Sequence, residues 1–256
     1  MPKSVIIRIV EMSLAFAATI ILSSPGRAGE LKSSSPVPSL STAQLMSENE
    51  GLRKLFTEPP SDSRQFQGKR IAILTTDGVE AIELQANRDY FKNRGAEVEI
   101  VAPHMPEYPA KFGVQYPLQR QTQILTVRFM ENADWVKIDR FVEDAEKQDY
   151  DAIIIAGGTW NPDSLRIDPN ALAFVKKMND HGKVIAAICH GPLVLVNAGL
   201  LKGRSATATW NVQEDLKNAG AQVKDVAVVV DGNLITSRHP IDLPDFLAAI
   251  GEALSK

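Results

Sequence analysis

A single cysteine, Cys189, is all the thiol that 256 residues carry. One cysteine excludes an intrachain disulfide framework and a zinc site built on several thiolates. Charge of one sign is also missing. The balance of 28 Lys and Arg against 31 Asp and Glu leaves a net charge of -3. There is no basic cluster with interleaved aromatics, so nucleic acid is not an expected partner. No Gly-rich fingerprint follows Asp77-Gly78, which removes the usual phosphate-cradling loop. Internal repeats are absent, and no apolar run reaches the roughly 20 residues of a membrane span. What remains is an ordinary globular composition, 44% hydrophobic and 23% charged, long enough for one large domain or two small ones.

The N-terminus is organised differently from the rest. Lys3 and Arg8 precede an apolar stretch from Met12 to Leu22, interrupted only beforehand by Glu11, and Ser23-Ser24-Pro25-Gly26-Arg27-Ala28 follows. A basic start, a short apolar core and small residues at its exit predict a signal peptide over residues 1–28, cleaved after Ala28. The expected location is periplasmic or secreted, with no stable membrane span after cleavage. Residues 29–67 are rich in Ser, Pro and Gln and read as a linker. Within it, Thr42 to Phe56 can form a short helix packed on the domain or on a partner.

From residue 68 onward, short β-rich runs alternate with helical stretches. Ile71 to Thr75, Glu97 to Val101, Ala152 to Ala156 and Lys183 to Ile188 are predicted strands, and the third is apolar on both faces, as a central parallel strand requires. Helices are expected over Leu84 to Arg94, Ala171 to His181, Val212 to Asn218 and Asp242 to Leu254, the last with Asp242 as N-cap. Ser205 to Thr209 is a further strand, Ile124 to Phe129 a small β excursion, and Asp231-Gly232-Asn233 the turn of a hairpin. The alternation predicts an α/β fold, doubly wound around a mostly parallel sheet with helices on both faces. Ligands bind at the C-ends of strands in such sheets. The Asp77 to Glu83 loop, the Gly157-Gly158 loop and Cys189 all follow strands, so all three can meet at one edge.

Cys189 sits where a buried strand turns into a helix. Ala186-Ala187-Ile188 leads into Cys189-His190-Gly191-Pro192, and Leu193 to Val196 opens a second apolar element. Lone cysteines in apolar runs are usually small core hydrophobes. Here Gly191 permits a tight turn and Pro192 suits the first turn of a helix, which favours a presented thiol near amide N–H groups.

Four motifs in order resemble the ThiJ/PfpI superfamily, in particular its PfpI-type intracellular protease and deglycase branch. They are Asp77-Gly78-Val79-Glu80-Ala81-Ile82-Glu83-Leu84, Ala156-Gly157-Gly158 with Asn161-Pro162-Asp163, Ala187 to Pro192, and Val230 to Arg238 continuing to Asp242-Leu243-Pro244. The resemblance covers roughly residues 69 to 254 and implies a flavodoxin-like fold. It implies Cys189 as nucleophile, His190 as its neighbour and, in some members, the partner of an acid. Glu83 matches the glutamate that hydrogen-bonds the sulfur, with Glu80 the second acid of that motif. Asp163 falls where PfpI-type proteases place a glutamate that reaches a neighbouring subunit's histidine, which implies a homo-oligomer. Backbone N–H groups at Gly157, Gly158 and His190 would form the oxyanion hole. No cofactor or metal is expected.

The chemistry stands beside the resemblance. A thiolate attacks a carbonyl carbon, amide donors hold the oxyanion, and an acid or imidazole moves the proton. Two adjacent anions disfavour each other, so a protonated Glu83 donating to a Cys189 thiolate is the cheaper arrangement. The first expectation is therefore a cysteine-dependent hydrolase or lyase acting on small-molecule carbonyl compounds, glycated groups or peptides. The same carboxyl would stabilise Cys-SOH, so the alternative is a non-enzymatic redox sensor or holdase. A glutamine amidotransferase subunit is disfavoured by the missing His-x-Glu pair. His239 and Asp242 only mimic that pair, and His239 reads as a surface residue. His104 and His181 read as a loop residue and a helix-end residue, and Trp160 and Trp210 as packing or pocket-lining aromatics.

Overall fold

Strands apolar at every position must be covered on both faces, and residue alternation decides which side chain meets which cover. Ile71, Ile73, Ala152, Ile154, Ala186 and Ile188 point into one apolar layer, while Ala72, Leu74, Ile153, Ile155, Ile185 and Ala187 point into a second. The computed structural model describes residues 46–104, 122–129 and 131–256. The expected signal peptide, the linker as far as residue 45, residues 105–121 and residue 130 lie outside the described residues.

In chain order the elements are α1 (Glu50–Thr57), β1 (Arg70–Leu74), β2 (Val79–Glu80), α2 (Ala81–Lys92), β3 (Glu97–Ala102), β4 (Gln123–Arg128), β5 (Glu131–Lys137), β6 (Arg140–Phe141), α3 (Val142–Ala145) and β7 (Ala152–Ile155). They continue with α4 (Trp160–Leu165), α5 (Pro169–Asp180), β8 (Val184–Ile188), α6 (Pro192–Ala198), β9 (Ser205–Ala206), α7 (Gln213–Asn218), β10 (Gln222–Val223), β11 (Val228–Asp231), β12 (Leu234–Ser237) and α8 (Leu243–Leu254). The main sheet runs β11-β12-β8-β7-β1-β3-β6 and is parallel except for the β11–β12 hairpin. This is the doubly wound α/β architecture that the alternation predicts, and the flavodoxin-like fold that the resemblance implies. Helices α2 and α8 cover one face, α8 through Phe246, Leu247 and Ile250. Helices α3, α5 and α6 cover the other, α5 through Phe174, Val175 and Met178.

Strand order reverses at β1, which pairs with β3 on one side and β7 on the other. The crevice beyond the C-ends of the strands at such a reversal is where doubly wound sheets place ligands. A small second sheet, β2-β4-β5, stands beside it. The excursion expected at Ile124 to Phe129 is its middle strand, β4.

Several boundaries move for identifiable reasons. The folded unit reaches back past residue 67. Leu52 of α1 and Phe66 are fully buried, and Phe66 packs on Gly251 of α8 and on Phe91. Those residues are core, so the Ser/Pro-rich composition overstates the linker on this side. Asn49 caps α1 by accepting the Leu52 N–H at 2.8 Å. The strand predicted over Ser205 to Thr209 stops at Ala206, because the Thr207 N–H donates to Thr236 Oγ1 instead of a ladder. Asp242 precedes α8 but accepts no helix N–H. Its carboxylate is taken by Arg238, at 2.9 Å from Nε and 3.3 Å from Nη2.

Candidate active site

The three predicted loops meet. Gly158 passes so close to the 78–80 backbone that a Cβ there would collide with the Gly78 carbonyl and lie 2.7 Å from the Glu80 nitrogen. Gly157 packs on Cys189 in the same way, with a Cβ position 2.5 Å from Cys189 Cβ. Asn161 fastens the β1 and β7 loops together from inside. Fully buried, it accepts the Thr76 N–H at 2.7 Å and donates its amide to the Ala156 and Gly157 carbonyls at 2.7 and 3.1 Å.

Cys189 has φ of 63°, in the left-handed region that a residue with a Cβ enters at a cost of about 1–2 kcal/mol. The surroundings hold it there. Its N–H donates to the Ser237 carbonyl at 3.1 Å, and its carbonyl accepts the Thr209 N–H at 3.1 Å. Gly191, whose Cβ would lie 2.5 Å from the Ile155 carbonyl oxygen, lets the chain turn at once into α6. The sharp turn lifts the thiol out of the strand, and Cys189 remains partly exposed.

Glu83, in the first turn of α2, is fully buried under that thiol. Its Oε2 accepts the Gly157 N–H at 2.6 Å, while Oε1 is buried with no hydrogen-bond partner among the described residues. An unpartnered buried oxygen is far cheaper on a neutral carboxyl than on a carboxylate. Burial, reinforced by the charge of Glu80, pushes the Glu83 carboxyl up to about 8 against the pull of the Gly157 N–H and Cys189. Burial pushes the Cys189 thiol up as well, and an ionised Glu83 pushes it further. The backbone N–H groups of Gly158 and His190 face the sulfur and pull the other way. Protonating Glu83 removes the second push and turns a repelling charge into a donor.

His190 follows the nucleophile, with Nδ1 3.3 Å from Cys189 Sγ. Burial lowers its basicity, and the nearby charge of Asp163 works against that. Asp163 itself is largely exposed on α4, with one oxygen 3.8 Å from Arg166 Nη1. Thus Cys189, His190, Glu83 and Gly158 come together, and Asp163 acts on His190 from the rim of the same chain. Gly157 departs from the expected oxyanion hole: its N–H is committed to Glu83. Glu80 is buried but faces the small sheet, its Oε2 accepting the Phe129 N–H at 3.0 Å. Asp77 does likewise with the Leu125 N–H at 2.6 Å.

Trp160 and Trp210 are both exposed on elements that border the site. Trp210 meets His239 edge-on, with ring centroids 5.6 Å apart. His239 is only partly exposed, with Nδ1 3.5 Å from Asp242 Oδ2, so it is more enclosed than a surface reading allows. Two residues escaped sequence reasoning. Asn161 stands inside a recognised motif, yet nothing in its spacing shows the double fastening. Asn211 places its amide 3.2 Å from His190 Nε2 and carries no sequence signal at all.

Residues 69–253 match the model of the DJ-1/PfpI family. The chain belongs to that family. A Thermococcus kodakarensis relative named "Deglycase TK1284" is 36% identical over 174 residues, covering 68% of this chain and 92% of the relative. A Bacillus subtilis relative named "Putative cysteine protease YraA" is 36% identical over 178 residues, covering 70% and 94%. Among solved structures, a two-domain Anabaena variabilis protein with DJ-1/ThiJ/PfpI-like and ferritin-like domains is 36% identical with a TM-score of 0.60, over 73% of this chain and 48% of that one. Drosophila melanogaster DJ-1beta, 23% identical with a TM-score of 0.62 over 73% and 91%, shares the DJ-1/PfpI fold.

Proposed function

We propose that this DJ-1/PfpI protein is an exported cysteine-nucleophile hydrolase or lyase acting on carbonyl substrates: peptides, glycated groups or small dicarbonyls such as glyoxals. One observation carries the reading. Cys189 is held at a positive φ, with amide donors facing its sulfur, an imidazole beside it and a buried carboxyl beneath it.

The steps follow from that geometry. The first proton leaves the Glu83–Cys189 pair as a joint property of both groups. The carboxyl keeps the remaining proton because its own charge would be buried, while the charge on sulfur is met by donors. Sγ bonds to the substrate carbonyl carbon, and the C=O π pair moves onto oxygen beside the Gly158 and His190 N–H groups. An acyl substrate then expels its leaving group, which takes up through solvent the proton released at the first step, and the carbonyl re-forms as a thioester on Sγ. Water cleaves the thioester, which returns the thiol. An aldehyde or glycated group gives a hemithioacetal-type adduct at the same carbon. Turnover of a panel of methylglyoxal, glycated and peptide substrates is expected from wild type and lost in Cys189→Ala. Full activity in that variant would end the reading.

A second reading draws on the same carboxyl. A protonated Glu83 beside Sγ would also hold a sulfenic acid, as a peroxide sensor or holdase requires. That reading expects peroxide to add one oxygen to Cys189 by intact mass, with no carbonyl substrate consumed. Export is proposed from residues 1–28 and expects a mature N-terminus at Gly29, so recovery of the full-length chain from the cytosol would exclude it. A homo-oligomer is proposed from the exposed Asp163 and Trp160 at the rim, and sedimentation at the mass of one chain would exclude it.

A further inference from the structure

We infer that Asn211 is a positioning residue that fixes His190 in the tautomer protonated at Nδ1, so that the imidazole donates to the Cys189 sulfur instead of accepting its proton. The inference deepens the reading of Cys189 as nucleophile and rests on it.

Each ring nitrogen of His190 has one partner. Nδ1 lies 3.3 Å from Cys189 Sγ, and Nε2 lies 3.2 Å from Asn211 Nδ2. In the observed orientation the Asn211 NH2 faces the ring, and an NH2 only donates, so Nε2 is the acceptor in that contact. A neutral imidazole carries one N–H. With Nε2 accepting, the hydrogen is on Nδ1 and points at the sulfur. Burial of the ring lowers its basicity, against the nearby charge of Asp163, which disfavours a charged imidazolium.

Asn211 is well placed for the task. It sits in the 3-10 turn Trp210–Val212, and Val212 is buried in the core. The residue before that turn, Thr209, donates its N–H to the carbonyl of Cys189 itself at 3.1 Å. The same backbone bond that secures the nucleophile's turn therefore registers Asn211 against His190. On the outer side, Trp210 packs edge-on against His239, whose neighbour Arg238 is clamped by Asp242. The turn is braced on both sides although the Asn211 side chain is exposed.

The division of labour follows. His190, the Gly158 and His190 amides and a protonated Glu83 are all donors toward one sulfur, and the proton that thiolate formation releases has no acceptor on the imidazole. An acid in the place of Asn211 would do the opposite. A carboxylate only accepts, so it would draw the hydrogen to Nε2 and present the Nδ1 lone pair to the thiol.

The test is the nitrogen NMR of His190 in the full chain labelled with 15N-histidine. The four histidines are assigned with the help of His190→Gln. Wild type at pH 7 is expected to show a pyrrole-type Nδ1 and a pyridine-type Nε2. Asn211→Asp is expected to exchange the two, and to slow iodoacetamide alkylation of Cys189 roughly tenfold, the order of one hydrogen bond to a charged group. Asn211→Ala is expected to give a mixture and an intermediate rate. A pyrrole-type Nε2 in wild type, or an Asn211→Asp protein with unchanged tautomer and alkylation rate, would overturn the inference. The wild-type spectrum decides it even if a variant fails to fold. Both readouts need no substrate. Turnover by Cys189→Ala, measured alongside, therefore reports separately on the nucleophile reading.

Discussion

Gly157 donates its backbone N–H to Glu83 Oε2 at 2.6 Å, and a Cβ at Gly157 would lie 2.8 Å from that oxygen and 3.0 Å from Cys189 Sγ. The glycine is therefore the wall between thiol and carboxyl, thin enough for both to share one buried space. Gly157→Ala must push Cys189 or the Glu83 carboxyl aside, because the new Cβ would also lie only 2.5 Å from Cys189 Cβ. Misplacement of reacting groups on the ångström scale costs about 100-fold in rate. We expect kcat/KM on any substrate of wild type to fall by roughly that factor, with alkylation of Cys189 changed in parallel. A Gly157→Ala protein with wild-type kcat/KM and alkylation rate would show that the packing is not needed.

Glu83 makes stability depend on pH in a definite sense. Its folded value is raised from 4.5 to about 8. Between those values the folded chain keeps a proton that the unfolded chain has released. The contribution is full below about 4.5, declines as pH rises and is gone above about 8. The slope for one proton is at most about 1.4 kcal/mol per pH unit. Urea unfolding at pH 5, 6.5 and 8 should show wild type losing stability along that series, and Glu83→Gln losing markedly less. Equal slopes in the two proteins would remove Glu83 as the source.

Much of this was legible in the chain, and the limits have physical causes. Strands β1, β7 and β8 were clear because each carries an unbroken apolar run of four or more residues that ends at a turn signal. Cys189 was clear because Gly191 and Pro192 punctuate the chain right after it. The short helix expected within Thr42 to Phe56 is α1, packed on the core through Leu52, Leu55 and Phe56, but the burial of Phe66 was not legible because the segment around it is polar. The capping role given to Asp242 failed for a similar reason. Arg238 competes for its carboxylate, and a strong bidentate partner outweighs one helix N–H. Asn161 and Asn211 act through amide orientation across loops far apart in sequence, which no local pattern encodes.

Asn161 joins the loops after β1 and β7 with bonds to Thr76, Ala156 and Gly157. Asn161→Ala removes the bonds to Thr76, Ala156 and Gly157 and the 3.3 Å contact with Thr75 Oγ1, while the Gly157 carbonyl keeps the Glu80 N–H at 3.4 Å. A buried hydrogen bond lost costs about 1–3 kcal/mol where no other partner takes over. Gly157 is among the residues released, so the damage reaches Glu83 and Cys189. Expected outcomes are a loss of at least about 2 kcal/mol in urea unfolding and reduced kcat/KM. A stability within about 0.5 kcal/mol of wild type would mean that the fastening is superfluous.

The strained turn at Cys189 gives a prediction of stability in the opposite direction. With φ of 63°, the residue occupies a conformation natural to glycine and costly for any residue with a Cβ. Cys189→Ala and Cys189→Gly both remove the thiol and its burial beside Glu83, but only the second removes the strain. Alanine keeps the Cβ that packs against Gly157, so the strain relieved by glycine is set against the loss of that one contact. Cys189→Gly should therefore be more stable than Cys189→Ala by about 1 kcal/mol, read as a higher urea midpoint at equal m. Both should lack turnover. The glycine protein would then be inactive yet the better folded of the two, because the backbone strain is kept for the presentation of the sulfur. An alanine variant equal to or above the glycine variant in stability would place the strain elsewhere.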